Sequence, residues 1–140
     1  MTRRFTAICL ILAAAVAASG CAASRAYRQG NDAMRLGQAD QAVAYYRVAV
    51  QEDPDNASYK ISLERAMVTA SREHLGRAQK FEEQDQLDAA RSEYRLAAEY
   101  DPSNQTAAAK VTSLEQRIRA RNEAARARIG AEPVPRPLSR

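Results

Sequence analysis

The chain has 140 residues, 21 basic and 17 acidic side chains and a formal net charge of +4, which limits it to one small domain. A single histidine and two cysteines leave no basis for a histidine-rich metal centre or a multi-disulfide framework. Alanine, glutamate, glutamine and arginine dominate and β-branched residues are sparse, so an all-α fold is predicted.

Residues 1–20 read as an export signal in three parts. Arg3 and Arg4 supply the positive end, Phe5 through Val16 are apolar apart from Thr6, and Ala17, Ala18, Ser19 and Gly20 are small, as a peptidase requires near its cut. The apolar run is about a dozen residues, short of the roughly 20 that span a bilayer. Cys21 follows Ala18-Ser19-Gly20 directly. This resembles the lipobox of bacterial lipoproteins, although Ala18 stands where the usual leucine is. The resemblance implies that Cys21 is acylated and becomes the first mature residue. It also implies an outer-membrane address, because Ala22 follows the cysteine in place of an inner-membrane-retaining aspartate. Cys9 lies in the removed segment, so the mature chain has one cysteine and no internal disulfide. Two or more acyl chains anchor a protein stably, where one is marginal.

After residue 20 the chain is organised by a repeat. Shifted by 48 residues, Gln38, Asp40, Ala42, Tyr46, Arg47, Ala49, Asp53, Pro54 and Asn56 fall on Gln86, Asp88, Ala90, Tyr94, Arg95, Ala97, Asp101, Pro102 and Asn104. Upstream, Gly30 meets Ala78 and Ala33 meets Phe81. In both copies Asp-Pro ends a helix and the asparagine two residues later caps the next. Asp40 and Asp88 fall at the starts of the second helices, where an acidic residue suits the N-cap and the helix dipole.

These positions resemble the tetratricopeptide repeat. Its pattern is met by Gly30, Ala33, Ala42, Tyr46, Ala49 and Pro54 with Gly37 at the turn. It is met again by Ala78, Phe81, Ala90, Tyr94, Ala97 and Pro102 with Asp85 at the turn. The resemblance covers residues 23–56 and 71–104 and implies antiparallel helix pairs stacked as an α-solenoid. Spacings of four and three put Ala42, Tyr46 and Ala49 on one stripe; the small residues admit a close neighbour and the tyrosine ring fills the gap. The family period is 34 residues, and here it is 48. Tyr59, Ile61, Leu63, Ala66, Met67 and Ala70 carry a helical pattern through the extra stretch, so one extended middle helix from Ala57 to Gln84 is expected, roughly 40 Å long. A capping helix over residues 104–128, packing through Ala108, Val111, Leu114 and Ile118, closes a helical domain of residues 21–128, and its distal half is expected in solvent. Pro133, Pro135 and Pro137 mark residues 129–140 as an extended tail.

No catalytic, cofactor or metal constellation emerges, and no enzymatic activity is expected. His74 has no ligand partners and reads as packing or surface. Glu82, Glu83 and Asp85 cluster at a turn and read as a solvated helix end. The glycines match no phosphate loop. The concave face of tetratricopeptide stacks is lined by first-helix residues, which implies Tyr27, Asn31, Met34, Leu75, Gln79 and Glu82 as partner-binding positions. Asn31 matches one position of the family's carboxylate clamp, but Tyr27 stands where the clamp has a lysine. The segment beginning at Arg117 carries seven arginines against Glu123 and Glu132, a basic arm suited to an acidic partner or anionic lipid. The run from Ala26 to Pro54 and from Arg77 to Asn104 also resembles the lipidated repeat region at the front of secretin-type outer-membrane proteins of type II secretion and type IV pili. The implied function is an outer-membrane, lipid-anchored scaffold facing the periplasm. Its implied partner is another envelope protein, such as a secretin or pilus component, with no small-molecule substrate and no nucleic acid. The competing expectation is a structural envelope lipoprotein that touches peptidoglycan or lipid through the basic arm.

Overall fold

The computed structural model describes residues 21–131; the export signal expected over residues 1–20 and residues 132–140 of the expected tail lie outside them. The described residues form five helices: α1 over residues 21–35, α2 (Ala39–Glu52), α3 (Ala57–Glu83), α4 (Leu87–Tyr100) and α5 (Gln105–Ala131). Helix ends are set where the sequence places its punctuation. Asp53 and Asp101 are the C-caps of α2 and α4, immediately before Pro54 and Pro102. Asn56 Oδ1 accepts from the Ser58 amide at 3.2 Å, and Asn104 Oδ1 accepts from the Ala107 amide at 3.0 Å, tying down first-turn donors that have no partner inside the helix.

The ends of α1 and α3 share another device. The Gln38 amide donates to the Ala33 carbonyl and the Gly37 amide to the Met34 carbonyl; Gln86 and Asp85 repeat this on Phe81 and Glu82. Paired bonds of this kind need a left-handed residue at the turn. Gly37 takes it at φ 69, and Asp85 takes it at φ 54 despite its Cβ. The N-caps of α2 and α4 correct the expectation for Asp40 and Asp88. Gln38 and Gln86 occupy those caps without a side-chain bond, and the aspartates lie inside the first turn, where they act on the helix dipole.

The 48-residue period governs the backbone as well as the side chains. The bounds of α2 and α3 at Ala39, Glu52, Ala57 and Glu83 return at Leu87, Tyr100, Gln105 and Ala131, each 48 residues on. α5 is thus the second copy of the whole of α3. It runs past the expected end at residue 128, because Gly130 does not break a helix and the first obstruction is Pro133. The chain divides into two compact units, the first ending at Arg72 and the second beginning at Glu73, so that α3 contributes to both.

In the first unit Ala42, Val43, Tyr46 and Ala49 of α2 are buried with Ala23, Ala26 and Ala33 of α1 and Ala66 and Ala70 of α3. In the second, Ala90, Tyr94 and Ala97 of α4 join Ala78, Leu87, Ala107, Leu114 and Ile118 in one apolar cluster. One expectation needs correction. Ala108 is exposed and Ala107 takes its place, because the stripe runs 107, 111, 114, 118 at spacings of four, three and four. Ile61 is 47% exposed, one position off the buried row through Ala66 and Ala70. Beyond Ile118, residues 119–129 of α5 are exposed on every side.

Tyr46 and Tyr94 are 3% and 2% exposed, so replacing either with alanine removes a full buried ring and is expected to cost about 3–5 kcal/mol. The exposed neighbour variant Arg47→Ala should cost under about 0.5 kcal/mol; equal thermal midpoints for the three would contradict the packing. The copies also differ at their small residue. A Cβ on Gly30 would stand 2.5 Å from Tyr46 Cε1, so Gly30→Ala, which merely copies Ala78, is expected to cost about 1–3 kcal/mol through displacement of the ring. A neutral Gly30→Ala midpoint in denaturant titration would show that the ring moves freely.

Candidate functional site

The predicted first-helix residues distribute over the two units and serve different ends in each. In the first unit, the Tyr27 ring lies against Tyr46 and Tyr59, with centroids 5.6 and 4.7 Å apart. Its hydroxyl accepts from Ser62 Oγ at 3.3 Å. The Tyr46 hydroxyl, emerging from the core, donates to Asn31 Oδ1 at 2.7 Å. Burial, reinforced by Tyr27, pushes the Tyr46 phenol above its ordinary range, so it remains a donor at any physiological pH. Asn31 and Met34 border a shallow open depression with Arg28, Asp32 and Arg35, in which Arg35 is paired to Asp32. Tyr27, Asn31 and Met34 therefore share one face of α1, with Tyr27 mainly a packing residue.

In the second unit the equivalent positions diverge. Leu75 packs against the apolar cluster, Gln79 is exposed, and Glu82 is the hub of a polar network. Its carboxylate accepts from the Tyr94 hydroxyl at 3.0 Å and from Lys110 Nζ at 2.9 Å on both oxygens, with Arg117 Nη1 at 3.3 Å. Lys110 Nζ also stands 6.0 Å from the centre of the Tyr94 ring. The turn is therefore not the solvated helix end expected for Glu82. Its acidic residues brace α5: Arg117 reaches Asp85 at 3.6 Å, and Arg121 reaches Asp85 at 3.9 Å and Asp88 at 3.6 Å.

These bonds fix the charge states. The hydrogen bond from Lys110 does most to hold Glu82 below the usual carboxylate range; burial opposes it, while Tyr94 and the Lys110 and Arg117 charges reinforce it. Tyr94 is pushed up to about 12 by burial and by the Glu82 carboxylate it donates to. Gln79, Glu82, Glu83, Tyr94, Lys110 and Arg117 line an open surface depression, a mosaic of fixed charges suited to recognising a polar surface.

A second cluster lies between α3 and α4. His74 is buried and stacks on Tyr100 at 5.4 Å. Its Nδ1 stands 2.8 Å from Glu93 Oε2 and 2.7 Å from Arg77 Nη2, and Arg77 Nε donates to the same Glu93 oxygen at 2.8 Å. Burial alone would raise the Glu93 carboxyl, but the bonds and charges of Arg77 and His74 outweigh it and hold it low. His74 thus packs and pairs at once. Glu93, Arg77 and Lys110 went unread in the sequence because no periodicity marks an ion pair; the one available hint was a histidine at a core register position. Cys21 is exposed, and its carbonyl accepts from Ser24 Oγ at 3.2 Å.

Glu82 and Glu93 are both depressed below their ordinary value of 4.5 in the folded chain. Their contribution to stability is complete above that value and is lost as pH falls through the lowered folded one. Melting temperature is expected to fall on acidification below about pH 4.5, and the double variant Glu82→Gln/Glu93→Gln should be less stable at neutral pH with a flatter acid limb. Parallel acid limbs for wild type and variant, measured by thermal unfolding, would count against these pairs.

No protein-family model matches the chain and no curated protein matches it, so any function assigned to it rests on its own residues and their geometry.

Proposed function

We propose that this protein is a lipid-anchored helical scaffold of tetratricopeptide type, held at the outer membrane through Cys21, that binds another envelope protein. The observation that carries the reading is the coincidence of two signals in one short chain. One is a cysteine placed directly after small residues and an apolar run; the other is a pair of helical repeats whose family-type positions, Ala42, Tyr46 and Ala49 and then Ala90, Tyr94 and Ala97, are all buried. Exposure of Cys21 is compatible with acylation. Among the described residues no helix is long and apolar enough to cross a membrane. The depressions beside Asn31 and Met34 and beside Gln79 and Glu82 are open and suit a protein partner better than a small ligand, since ligand pockets are concave and enclose most of the ligand's surface. A secretin or pilus component is the partner that the repeat resemblance favours.

The anchor is tested directly. Wild type should incorporate labelled fatty acid and sediment with outer membranes, and Cys21→Ser should do neither. A variant that stays membrane-bound beside an unlabelled wild type removes the anchor from this reading, and recovery with inner membranes removes the sorting. The scaffold is tested by co-purification of the anchored wild type with one envelope protein.

A further inference from the structure

The 48-residue period places a third first-helix in the chain. In α1 the face turned to α2 is Ala23, Ala26, Gly30 and Ala33, all buried. The same register in α3 is Ser71, His74, Ala78 and Phe81, of which the first three are buried and Phe81 packs against the apolar cluster. One period further, on α5, it is Arg119, Asn122, Arg126 and Ile129, and here all four are exposed, Ile129 at 74%. The backbone reaches the same length as α3, yet among the described residues nothing covers this face.

Its chemistry differs from the two that are covered. Gly30 and Ala78 admit a close neighbour and a tyrosine ring, whereas Arg126 stands at their register position and prevents that approach. The arginines of α5 also divide by side. Arg117 and Arg121 are engaged by Glu82, Asp85 and Asp88 at the α3–α4 turn. Arg119 and Arg126 have no ion pair among the described residues and lie on the uncovered face beside Ile129. The chain itself shows what satisfies such arginines, namely carboxylates presented by a helical corner at 3.3–3.9 Å.

We propose that the face of Arg119, Asn122, Arg126 and Ile129 on α5 is a docking surface for an acidic amphipathic helix of a partner protein, whose carboxylates meet Arg119 and Arg126 at a wider spacing than α2 keeps from α1. The proposal rests on the scaffold reading and names the chemistry of its partner. Two arginines select carboxylates, Ile129 supplies a short apolar contact, and the exposed helix is already formed, so little ordering cost is added on binding.

The test uses the full mature chain and a synthetic amphipathic helical peptide with a leucine stripe flanked by glutamates. The same peptide with glutamines in their place serves as control. Fluorescence anisotropy should show binding of the glutamate peptide that weakens as salt rises. Arg119→Gln/Arg126→Gln should weaken it by about tenfold or more, as loss of close interfacial charge pairs does. Arg119→Lys/Arg126→Lys should restore most of it, and Arg47→Gln/Arg95→Gln, with the same charge removed elsewhere, should change it by less than about twofold. Unchanged helix content and melting temperature accompany these results if the face is a surface. The proposal is overturned if the glutamate peptide does not bind wild type, if the glutamine peptide binds equally, or if the two double-glutamine variants lose affinity alike. It is overturned as well if wild type prefers vesicles of mixed phosphatidylcholine and phosphatidylglycerol to the peptide, which would make the face a membrane contact. An envelope protein that co-purifies undiminished with Arg119→Gln/Arg126→Gln leaves the scaffold standing and removes this face alone; failure of wild type to co-purify with any removes the scaffold.

Discussion

Helices rich in alanine can come close together, but the space left by their short side chains must be filled by something, and in each unit it is one tyrosine ring. Tyr46 lies over Gly30 with so little clearance that a single methyl group would collide with it. Tyr94 takes the same place among Ala78, Ala90 and Ala97. The spacing of each helix pair follows from that fit, because interiors pack at crystal-like density and do not tolerate voids. A buried ring also carries a hydroxyl that needs a partner, and the search for one determines what surrounds it. Asn31 answers Tyr46, and Glu82 answers Tyr94.

From that difference the two units acquire different electrostatic characters. An amide oxygen satisfies a phenol without adding charge, so the first unit needs no ions around Tyr46. A carboxylate beside a buried ring must itself be neutralised. Lys110 and Arg117 meet that demand at Glu82 and so tie α5 to the α3–α4 turn. One substitution of residue type along the repeat, an asparagine bond replaced by a glutamate bond one turn later, thereby recruits a third helix through charge. Glu93 with Arg77 and His74 applies the same logic further toward the start of the second unit's part of α3. In the second unit the lowered Glu82 and Glu93 carboxyls make stability depend on pH.

Much of this was legible in the residues. Asp-Pro-x-Asn marked two helix junctions because each member has a local backbone consequence. The continuity of α3 could be read from apolar periodicity, and the buried tyrosines from their alanine neighbours. Errors arose where two answers differ by one residue. Ala107 and Ala108 both fit a loose helical stripe, and only the cap from Asn104 fixes the phase. Ile61 belongs to the apolar pattern of α3, although its register faces out. The network at Glu82 was illegible for a different reason. Its members are separated by 28 and 35 residues in the chain, and charged side chains leave no periodic trace when they pair across helices. The candidate binding residues were legible as helix positions only, since position does not reveal whether a side chain such as Leu75 has been taken by the core.

α3 passes from one unit into the other without a cap or a break between Arg72 and Glu73. Starting a helix is the unfavourable step, with a penalty of about 4 kcal/mol for a nucleation constant near 10⁻³, while each added residue is nearly neutral. A chain with separate helices at this point would meet that penalty twice. Here it is met once, and a folded first unit leaves a primed helical end from which the second can grow, as the reverse order also allows. The continuous backbone of α3 therefore lets helix propagation in one unit carry on into the next, as a nearest-neighbour term does in a one-dimensional array. Glycine or proline introduced near Arg72 would uncouple the two folding transitions while leaving every tyrosine in its slot.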